Sequence, residues 1–236
     1  MMKNKILIFS ATYNEVGNIE NFLKAIEELN LALDILLIDD NSPDKTWEII
    51  QEYSKNKKNI HLIIRNKKEG LDTAHKIAYE YSIKNNYDLL ITLDADMSHD
   101  PKIIPKFINE SKTNAFTVGS RYMKGGKCGL RGFRLFLSYF GNRFIKFIFG
   151  INCTEFTTSY RGFNIKKLNN FTLKDVNSKG YSFFMETILQ IHRKGIFINQ
   201  IPIHFTDRKK GKSKIPKIEI FRTFHNILRL KFRSKL

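Results

Sequence analysis

Apolar residues in the first hundred positions follow two alternating patterns. In the first pattern, short runs are apolar almost throughout and end in polar residues; these runs cover 5–11, 34–40, 60–66 and 88–96. In the second, longer segments carry apolar residues at helical spacing; these segments cover 16–29, 42–55 and 71–85. Strands that are apolar throughout are typical of a parallel sheet with helices on both faces. The pattern therefore predicts an α/β fold, in which Ser42 and Pro43 open the second helix as its N-cap and first residue.

The second half of the chain continues with less regular elements. We expect a strand at 115–122, a glycine-rich loop at 125–133, an aromatic and cationic helix at 132–150, a helix at 180–195 and a strand at 196–205. The final segment, 216–236, mixes apolar residues with cations and is interpreted as a basic amphipathic tail. At 236 residues the chain fits one α/β domain, or one domain with an appendage, and it can bury a sizeable core.

Charge is distributed unevenly between the two halves. The formal net charge is +17, but residues 1–110 carry 14 Lys and Arg against 18 Asp and Glu, whereas residues 111–236 carry 26 against 5. A basic half of this kind indicates an anionic partner: nucleic acid, a phosphorylated ligand or an anionic membrane surface. Since no recognisable DNA- or RNA-binding motif is present, we do not expect nucleic acid as the partner.

Two further features bear on the cellular compartment. Cys128 and Cys153 have no metal-ligand spacing and form no evident disulfide framework, which is typical of reduced thiols in a cytoplasmic protein. The N-terminal apolar run lacks a cleavage signal and is interpreted as a strand. No segment offers about 18 consecutive apolar residues, so we predict no transmembrane helix.

The stretch ITLDADMSHDP, residues 91–101, leads an apolar strand directly into two carboxylates. Asp94 and Asp96 are two positions apart, so at an extended strand end their side chains share a face. Oxygen pairs of this kind suit a hard divalent cation, Mg²⁺ or Mn²⁺, that substrate phosphates also bind. The alternative is a turn whose carboxylates simply face water.

Polar residues also follow the first two predicted strands. Because the carboxyl ends of parallel strands meet at one edge of a sheet, we expect these residues to lie near Asp94. Tyr13 and Glu15 supply a ring and a carboxylate suited to a nucleotide base. Asp40 could accept hydrogen bonds from a ribose diol, as acids at strand ends do in dinucleotide-binding folds.

Taken together, six stretches resemble the family 2 inverting glycosyltransferases, which have the Rossmann-like GT-A fold. They are ATYNEVGNI, IDDNSPDKT, GLDTAHKIAYEY, DADMSHDP, GSRY followed by GG, and DRKKGKSK, in this order along residues 5–215. The resemblance is closest to the polyprenyl-phosphate sugar synthases, typified by dolichyl-phosphate mannose synthase. It implies that residues 1–215 form a GT-A catalytic domain.

The resemblance also implies a nucleotide-sugar site. Thr12, Tyr13 and Glu15 would line the base and Asp40 the ribose. Asp94 and Ala95 would lie near the diphosphate sugar, Asp96 would be the main metal ligand and Ser98 a further one. Arg121 would meet phosphate, and Arg208, Ser213 and Lys214 match a stretch that closes over the diphosphate. The residues expected to act directly in catalysis are Asp94, Asp96 and Arg121.

On the acceptor side, the resemblance assigns Arg134 and Ser138 to the lipid phosphate, with Ser213 contributing and Asn142 one turn further along. Arg134, Ser138 and Asn142 would form one stripe of a helix, because they are four residues apart. His99 is interpreted as a neutral loop histidine, and Glu186 is an acid without an assigned role.

The implied reaction is inverting transfer of a hexose, with mannose from GDP-mannose as the leading expectation, to a polyprenyl or dolichyl monophosphate. The same transfer from UDP-glucose or UDP-N-acetylglucosamine is the alternative, because nothing in Tyr13 or Glu15 distinguishes guanine from uracil. Two rivals of another class are a basic nucleic-acid-binding module and an inactive partner subunit. The absence of a recognisable nucleic-acid-binding motif argues against the first. The DAD motif, Arg121, and the stretch with Arg208, Ser213 and Lys214 argue against the second.

The helix at 132–150 places Arg143 and Lys146 among aromatic residues, which suits a membrane interface where cations meet lipid headgroups. An ordinary core-packing helix is the alternative, and the tail at 216–236 is a second candidate for the interfacial role. We therefore expect a cytoplasmic protein, attached peripherally to the cytoplasmic face of a membrane. A membrane-anchoring partner subunit is a further expectation.

Overall fold

The computed structural model describes residues 4–168, 170–207 and 218–232. Its strands are β1 Ile6–Thr12, β2 Asp34–Asp39, β3 Ile60–Ile64, β4 Leu89–Thr92, β5 Phe116–Ser120, β6 Lys127–Cys128, β7 Arg161–Asn164, β8 Ile198–Pro202 and β9 His204–Phe205. Its helices are α1 Ile19–Glu27, α2 Thr46–Ser54, α3 Leu71–Lys84, α4 Ile104–Glu110, α5 Gly132–Phe149, α6 Tyr181–Arg193 and α7 Ile218–Phe232. Seven strands form one sheet in the order β3-β2-β1-β4-β7-β5-β8, and β6 pairs with β9.

Alternate residues of the central strands point to opposite faces of the sheet and bury two cores. In β1, Leu7 and Phe9 face one core, whereas Ile6 and Ile8 face the other. Helices α3, α5, α6 and α7 contribute to the first core, and α1, α2 and α4 contribute to the second. This is the two-residue period of a strand. It confirms the predicted sheet with helices on both faces.

Strand β7 is antiparallel to both of its neighbours, β4 and β5, whereas the other pairs in the sheet are parallel. This strand was not predicted from the sequence, because RGFN is four residues long and contains no apolar run. Its first residue, Arg161, lies opposite Thr92 of β4 and Val118 of β5. The loop that enters β7, residues 153–160, therefore lies at the carboxyl ends of β4 and β5.

Two predicted strand boundaries were wrong. β4 ends at Thr92 rather than at 96, so Asp94 and Asp96 lie in the turn that follows the strand, not on an extended strand end. The predicted strand at 196–205 is interrupted at Ile203, which separates β8 from β9. The mostly parallel sheet is unaffected by either change.

The predicted start of the second helix was also wrong. Helix α2 begins at Thr46, and Lys45 before it has a left-handed φ of 62°. Ser42 is not its N-cap, because the amide and hydroxyl of Ser42 both donate to Asp39. The Ser-Pro pair thus belongs to the strand-end loop.

The predicted helix at 132–150 is α5, and it packs only a narrow face against the domain. Its buried residues are Asn142 and Ile145. Five phenylalanines of α5 are exposed, and we refer to them as the aromatic stripe: Phe133, Phe136, Phe140, Phe144 and Phe147. Among the described helices, none is both long and apolar enough to cross a membrane.

Candidate functional site

The carboxyl ends of β1 and β2 are joined through Asp39, which is fully buried. Its carboxylate accepts hydrogen bonds from the Thr12 hydroxyl at 2.6 Å and from the amide and hydroxyl of Ser42, each at 2.7 Å. The Ser42 hydroxyl in turn accepts the Asn14 N–H at 3.0 Å. The Thr12 hydroxyl is therefore part of the hydrogen-bond network around Asp39. Its contact with a nucleotide base stays a prediction.

Asp40 is paired with Arg65, a cation that the motifs did not single out. The two side chains form a buried ion pair. Arg65 also donates to the Gly70 carbonyl at 3.0 Å, just before α3. The pair fixes the position of Asp40 at the sheet edge, where its contact with ribose stays a prediction.

Tyr13 and Glu15 lie half-buried in the loop after β1. The Lys68 ammonium lies 4.2 Å from the centre of the Tyr13 ring, within the range of a cation–π contact. The Glu15 carboxylate accepts a hydrogen bond from the Asn18 side chain at 2.8 Å. A ring and a carboxylate thus lie in the loop that was predicted to hold the base, and Lys68 from the connection between β3 and α3 places a cation over the ring.

Asp94 is held from two sides in the turn after β4. Its carboxylate accepts a hydrogen bond from the Ser159 hydroxyl at 2.6 Å, and its N–H donates to Nδ1 of His99 at 3.3 Å. Nε2 of His99 lies 3.3 Å from the Thr158 hydroxyl. Burial lowers the pKa of His99 below 6.5, although Asp94 and Asp96 act in the opposite direction. A neutral ring protonated at Nε2 satisfies both contacts, in agreement with the interpretation of His99 as a neutral histidine.

Asp96 and Ser98 are two further buried polar residues of this turn. Asp96 is buried and accepts the Ser98 N–H at 3.0 Å, and Met97 between them has a φ of 62°. The Ser98 hydroxyl is buried, and no described residue forms a hydrogen bond with it. Such a hydroxyl costs about 1–3 kcal/mol if it stays unpaired. The position therefore fits a site that a ligand completes.

The residues of this turn fit a hard divalent cation. Mg²⁺ at phosphate-transfer sites takes one or two carboxylates from the protein and its other oxygens from water and substrate phosphates. Across the described ranges, no group of three His, Cys, Asp or Glu side chains forms a metal cluster. One carboxylate, Asp96, beside the orphaned Ser98 hydroxyl instead suits a cation that binds together with a diphosphate.

Arg121, directly after β5, forms a buried ion pair with Glu155. Nε and Nη2 of Arg121 lie 2.6 Å and 2.9 Å from the two carboxylate oxygens. Burial opposes ionisation of Glu155, but Arg121 and Thr157 together hold the pKa of Glu155 below its usual 4.5. The pair fixes Arg121 at the sheet edge, and its predicted contact with substrate phosphate stays a prediction.

Arg161 supports the same loop from inside the core. It is 1% exposed and donates to the carbonyls of Thr158 and Phe156 at 2.9 Å and 3.0 Å, while its guanidinium lies 4.8 Å from the Phe184 ring centre. Burial lowers its pKa to about 9. Thr158 and Ser159 contact His99 and Asp94 in the turn after β4, residues 94–99, which we call the carboxylate turn. Arg161 therefore supports this turn through the loop.

The residues predicted to bind the acceptor phosphate become more buried along α5, from the exposed Arg134 through Ser138 to the buried Asn142. Arg134 is exposed, and its Nη1 lies 3.3 Å from the Asp207 carboxylate. The Ser138 hydroxyl accepts a hydrogen bond from the Tyr122 hydroxyl at 2.7 Å. Asn142 is buried; it donates to the Ser138 carbonyl at 2.8 Å and accepts the Phe156 N–H at 2.6 Å. The stripe that was predicted on one helix face is therefore present in α5.

Three predicted residues, Arg208, Ser213 and Lys214, lie outside the described residues. Glu186 is buried in α6 and accepts the Ser178 N–H at 2.6 Å. Sequence reasoning missed Asp39, Arg65 and Glu155. Only Glu155 had a local signal, since it is the first acid after the acid-free run from 111 to 154.

The sheet order, with one antiparallel strand beside the turn that carries Asp94 and Asp96, is that of the GT-A fold. Among solved structures, glucosyl-3-phosphoglycerate synthase from Mycobacterium tuberculosis, crystallised with Mn²⁺, UDP and glucosyl-3-phosphoglycerate, matches with a TM-score of 0.65 and 13% sequence identity. The match covers 96% of this chain and 79% of that one. The likeness shows the fold.

Sequence comparisons identify the family. The profile of glycosyl transferase family 2 matches residues 8–171, and the chain belongs to this family. Undecaprenyl-phosphate mannosyltransferase of Micrococcus luteus is 30% identical over 212 residues, 89% of this chain and 87% of the relative. Polyprenol monophosphomannose synthase of Mycolicibacterium smegmatis is 28% identical over 237 residues, 98% and 89% of the two chains. The predicted family and the resemblance to polyprenyl-phosphate mannose synthases are confirmed.

Proposed function

We propose that this glycosyltransferase moves mannose from GDP-mannose to the phosphate of a polyprenyl monophosphate, with Mg²⁺ or Mn²⁺ as cofactor. Two relatives matched over most of their length are named for mannosyl transfer to undecaprenyl phosphate or for polyprenol monophosphomannose synthesis. Their names support both the sugar and the class of acceptor. Mannose as the transferred sugar favours GDP-mannose as the donor, and the chemistry of Asp96 and Ser98 supports the cation.

The observation that carries the proposal is a short connection between the carboxylate turn and α5. The Thr206 N–H donates to the Ser98 carbonyl at 3.1 Å, and the next residue, Asp207, pairs with Arg134. Ser98 and Arg134 thus contact two consecutive residues, Thr206 and Asp207. The Cα atoms of consecutive residues are only about 3.8 Å apart, so Ser98 and Arg134 are held close to each other. This proximity supports a phosphate acceptor that binds beside the turn that would hold the donor diphosphate.

The acceptor needs no general base. A phosphate monoester is already an anion at neutral pH, so its oxygen can attack the anomeric carbon directly. The new bond forms on the face opposite the diphosphate, the bond to the diphosphate oxygen breaks, and the anomeric configuration inverts. In the proposal, Arg134 and Ser138 bind and orient the attacking phosphate, since a guanidinium suits phosphate oxygens.

The donor side must accommodate a departing nucleoside diphosphate. Asp96 and Ser98 would hold the divalent cation, which supplies neutralisation of the diphosphate charge. Arg121, kept in place by Glu155, would offer guanidinium N–H groups as hydrogen-bond donors to phosphate oxygens near the same edge. Asp94, positioned by Ser159 and His99, would face the sugar.

A second candidate is transfer from UDP-glucose or UDP-N-acetylglucosamine to polyprenyl phosphate or another acceptor. It is retained because the M. tuberculosis protein with the same fold was crystallised with UDP. That protein is only 13% identical to this chain. The closer relatives, which are named for mannose, favour GDP-mannose.

Radiolabelled GDP-mannose, UDP-glucose and UDP-N-acetylglucosamine should be offered in parallel with a short polyprenyl phosphate, with Mg²⁺, Mn²⁺ or EDTA. We expect label in the lipid fraction from GDP-mannose alone, and loss of that label with EDTA. Label in the lipid fraction from a UDP-sugar alone would refute GDP-mannose as the donor and support the second candidate function. Label that persists in EDTA would overturn the metal assignment.

We further propose that the protein binds the cytoplasmic face of a membrane peripherally through the aromatic stripe, with or without an anchoring subunit. Phe133 and Phe147 are 72% and 84% exposed, which is unusual for large apolar side chains on one helix. Arg143 and Lys146 lie beside the aromatic stripe on α5. If the stripe enters the lipid, these cations would lie at the membrane surface, where they can contact anionic headgroups. A polyprenyl acceptor requires such contact, because its chain resides in lipid.

Replacing Phe136, Phe140 and Phe147 together by serine is expected to weaken binding to vesicles by at least about 100-fold, because each phenylalanine buried in lipid contributes about 1.5–3 kcal/mol. Binding is measured by co-sedimentation with vesicles of equal parts phosphatidylcholine and phosphatidylglycerol. Phe197→Ser is the matched control, since Phe197 is 72% exposed at the amino-terminal end of β8, away from α5. Equal binding by the triple variant and wild type would refute the stripe as the contact surface.

A further inference from the structure

Tyr122 lies between the carboxyl end of β5, beside Arg121, and helix α5. The position of its hydroxyl is fixed by its contacts. The Tyr122 N–H donates to the Ser120 hydroxyl at 3.1 Å. The ring packs edge-on against Tyr139 with 5.5 Å between centroids, and the Arg121 guanidinium lies 5.2 Å from the ring centre. The ring is therefore held by its own backbone and by contacts on two sides.

The polarity of the bond between Tyr122 and Ser138 has a chemical consequence. A tyrosine phenol is protonated at neutral pH, and burial raises the pKa of Tyr122 further, so its hydroxyl keeps the proton that it donates to Ser138. The Ser138 hydroxyl accepts this hydrogen bond at 2.7 Å, and its own proton is thereby directed to another acceptor. Phosphate oxygens act as acceptors, so this is the orientation that a phosphate ligand requires of Ser138.

The Tyr122–Ser138 bond also closes a ring of contacts that begins at Arg121. Arg121 pairs with Glu155, and the following residue, Phe156, donates its N–H to Asn142. Asn142 donates to the Ser138 carbonyl, and Ser138 accepts from Tyr122, which follows Arg121 in the chain. The ring gives Ser138 a fixed position relative to Arg121.

The hydrogen bond between Tyr122 and Ser138 lies next to a cavity with apolar walls. A cavity of about 630 Å³ borders the Tyr122 ring, and its other walls include Leu135, Phe136 and Phe140 of α5. Two of these residues belong to the aromatic stripe. A phosphate at Ser138 would thus have an apolar chain-binding surface next to it.

We propose that Tyr122 is a positioning residue for the acceptor: by donating to Ser138, it orients the Ser138 hydroxyl toward the phosphate of the polyprenyl monophosphate. The assignment rests on the proposed function. Tyr122 itself contacts neither the sugar nor the reacting atoms. Its effect is on acceptor binding, not on the chemical step.

The test is Tyr122→Phe, which retains the ring and its packing but removes the donor. A net hydrogen bond contributes about 1 kcal/mol, so the KM for polyprenyl phosphate is expected to rise about 5- to 10-fold. The kcat and the KM for GDP-mannose should stay within about twofold of wild type, since the donor side is untouched. Tyr87→Phe is the matched control, because Tyr87 also donates at 2.7 Å, to Asp34 at the amino end of β2, and it should leave all three constants unchanged.

A second pair of variants separates positioning from a general packing effect. Ser138→Ala should raise the acceptor KM by itself, and adding Tyr122→Phe should then change it by less than about twofold, because the two residues act as one unit. An unchanged acceptor KM in Tyr122→Phe, or an equal rise in the Ser138→Ala background, would overturn the inference while leaving the proposed function intact. Absence of any wild-type transfer to polyprenyl phosphate would overturn the proposed function and this assignment with it.

Discussion

Replacement of Asp96 by alanine is expected to lower the rate of sugar transfer by at least about 10²–10³-fold, the usual effect of losing one electrostatic group at such a site. Asp96 is the buried carboxylate beside the orphaned Ser98 hydroxyl. In the proposed site Asp96 would hold the cation, and the cation would neutralise the departing diphosphate, so the variant would lose both contributions. Initial rates at saturating GDP-mannose and polyprenyl phosphate measure the effect.

Two asparagine variants test whether charge is the cause. Asp96→Asn keeps an oxygen that can accept the Ser98 N–H, so the turn should fold normally while transfer is still largely lost. Asp100→Asn removes a carboxylate four residues away that is exposed and accepts the Lys102 N–H, and it should transfer sugar at the wild-type rate. Near-normal transfer by Asp96→Asn would contradict the metal assignment.

Glu155→Ala is expected to lower the free energy of unfolding by about 3–5 kcal/mol, because it leaves the Arg121 guanidinium buried without its counter-ion. Urea unfolding of wild type and variant measures the loss. Glu48→Ala is the control: Glu48 pairs with Lys45 at 2.9 Å on the surface, and such pairs contribute about 1 kcal/mol or less. Similar losses in the two variants would refute the structural role of the buried pair.

The same pair predicts a pH dependence. The pKa of Glu155 is lower in the folded protein than its ordinary value of 4.5. Its contribution is therefore complete above pH 4.5 and is lost as the pH falls through the folded pKa. The difference in stability between wild type and Glu155→Ala should narrow in acid, whereas a constant difference would show that the carboxylate charge is not responsible.

The regular part of the fold could be predicted from the sequence because its strands are continuously apolar. The run of apolar residues in DILLID predicts a strand that is buried on both faces of the sheet. β2 is buried in this way, because its side chains contribute to both cores. β7 carries no comparable signal, because two of its four residues are Arg161 and Gly162. Its place between β4 and β5 is set by tertiary contacts. Likewise, the pattern does not show that β4 ends at Thr92 or that the chain then turns, with a left-handed φ at Met97.

The candidate site could be predicted as a set of residue types but not as a set of partners. Asp39 and Asp40 are adjacent and chemically identical, yet one bonds to Thr12 and the other to Arg65. Which neighbour each carboxylate meets depends on chain segments 25 or more positions away. Glu155 and Arg121 are 34 positions apart. Local sequence patterns carry no information about such pairings.

The antiparallel strand β7 also determines the order in which the protein can assemble on the ribosome. β2, β3 and β4 each pair with a strand that has already been made. β5 hydrogen-bonds only to β7 and β8 within the sheet, and both follow it in the chain. Pairing between distant segments is slow and leaves edges exposed in the meantime. The nascent chain therefore carries β1 to β4, with the loops at their carboxyl ends, before Arg121, Tyr122 and the loop that contacts Asp94 can join the sheet.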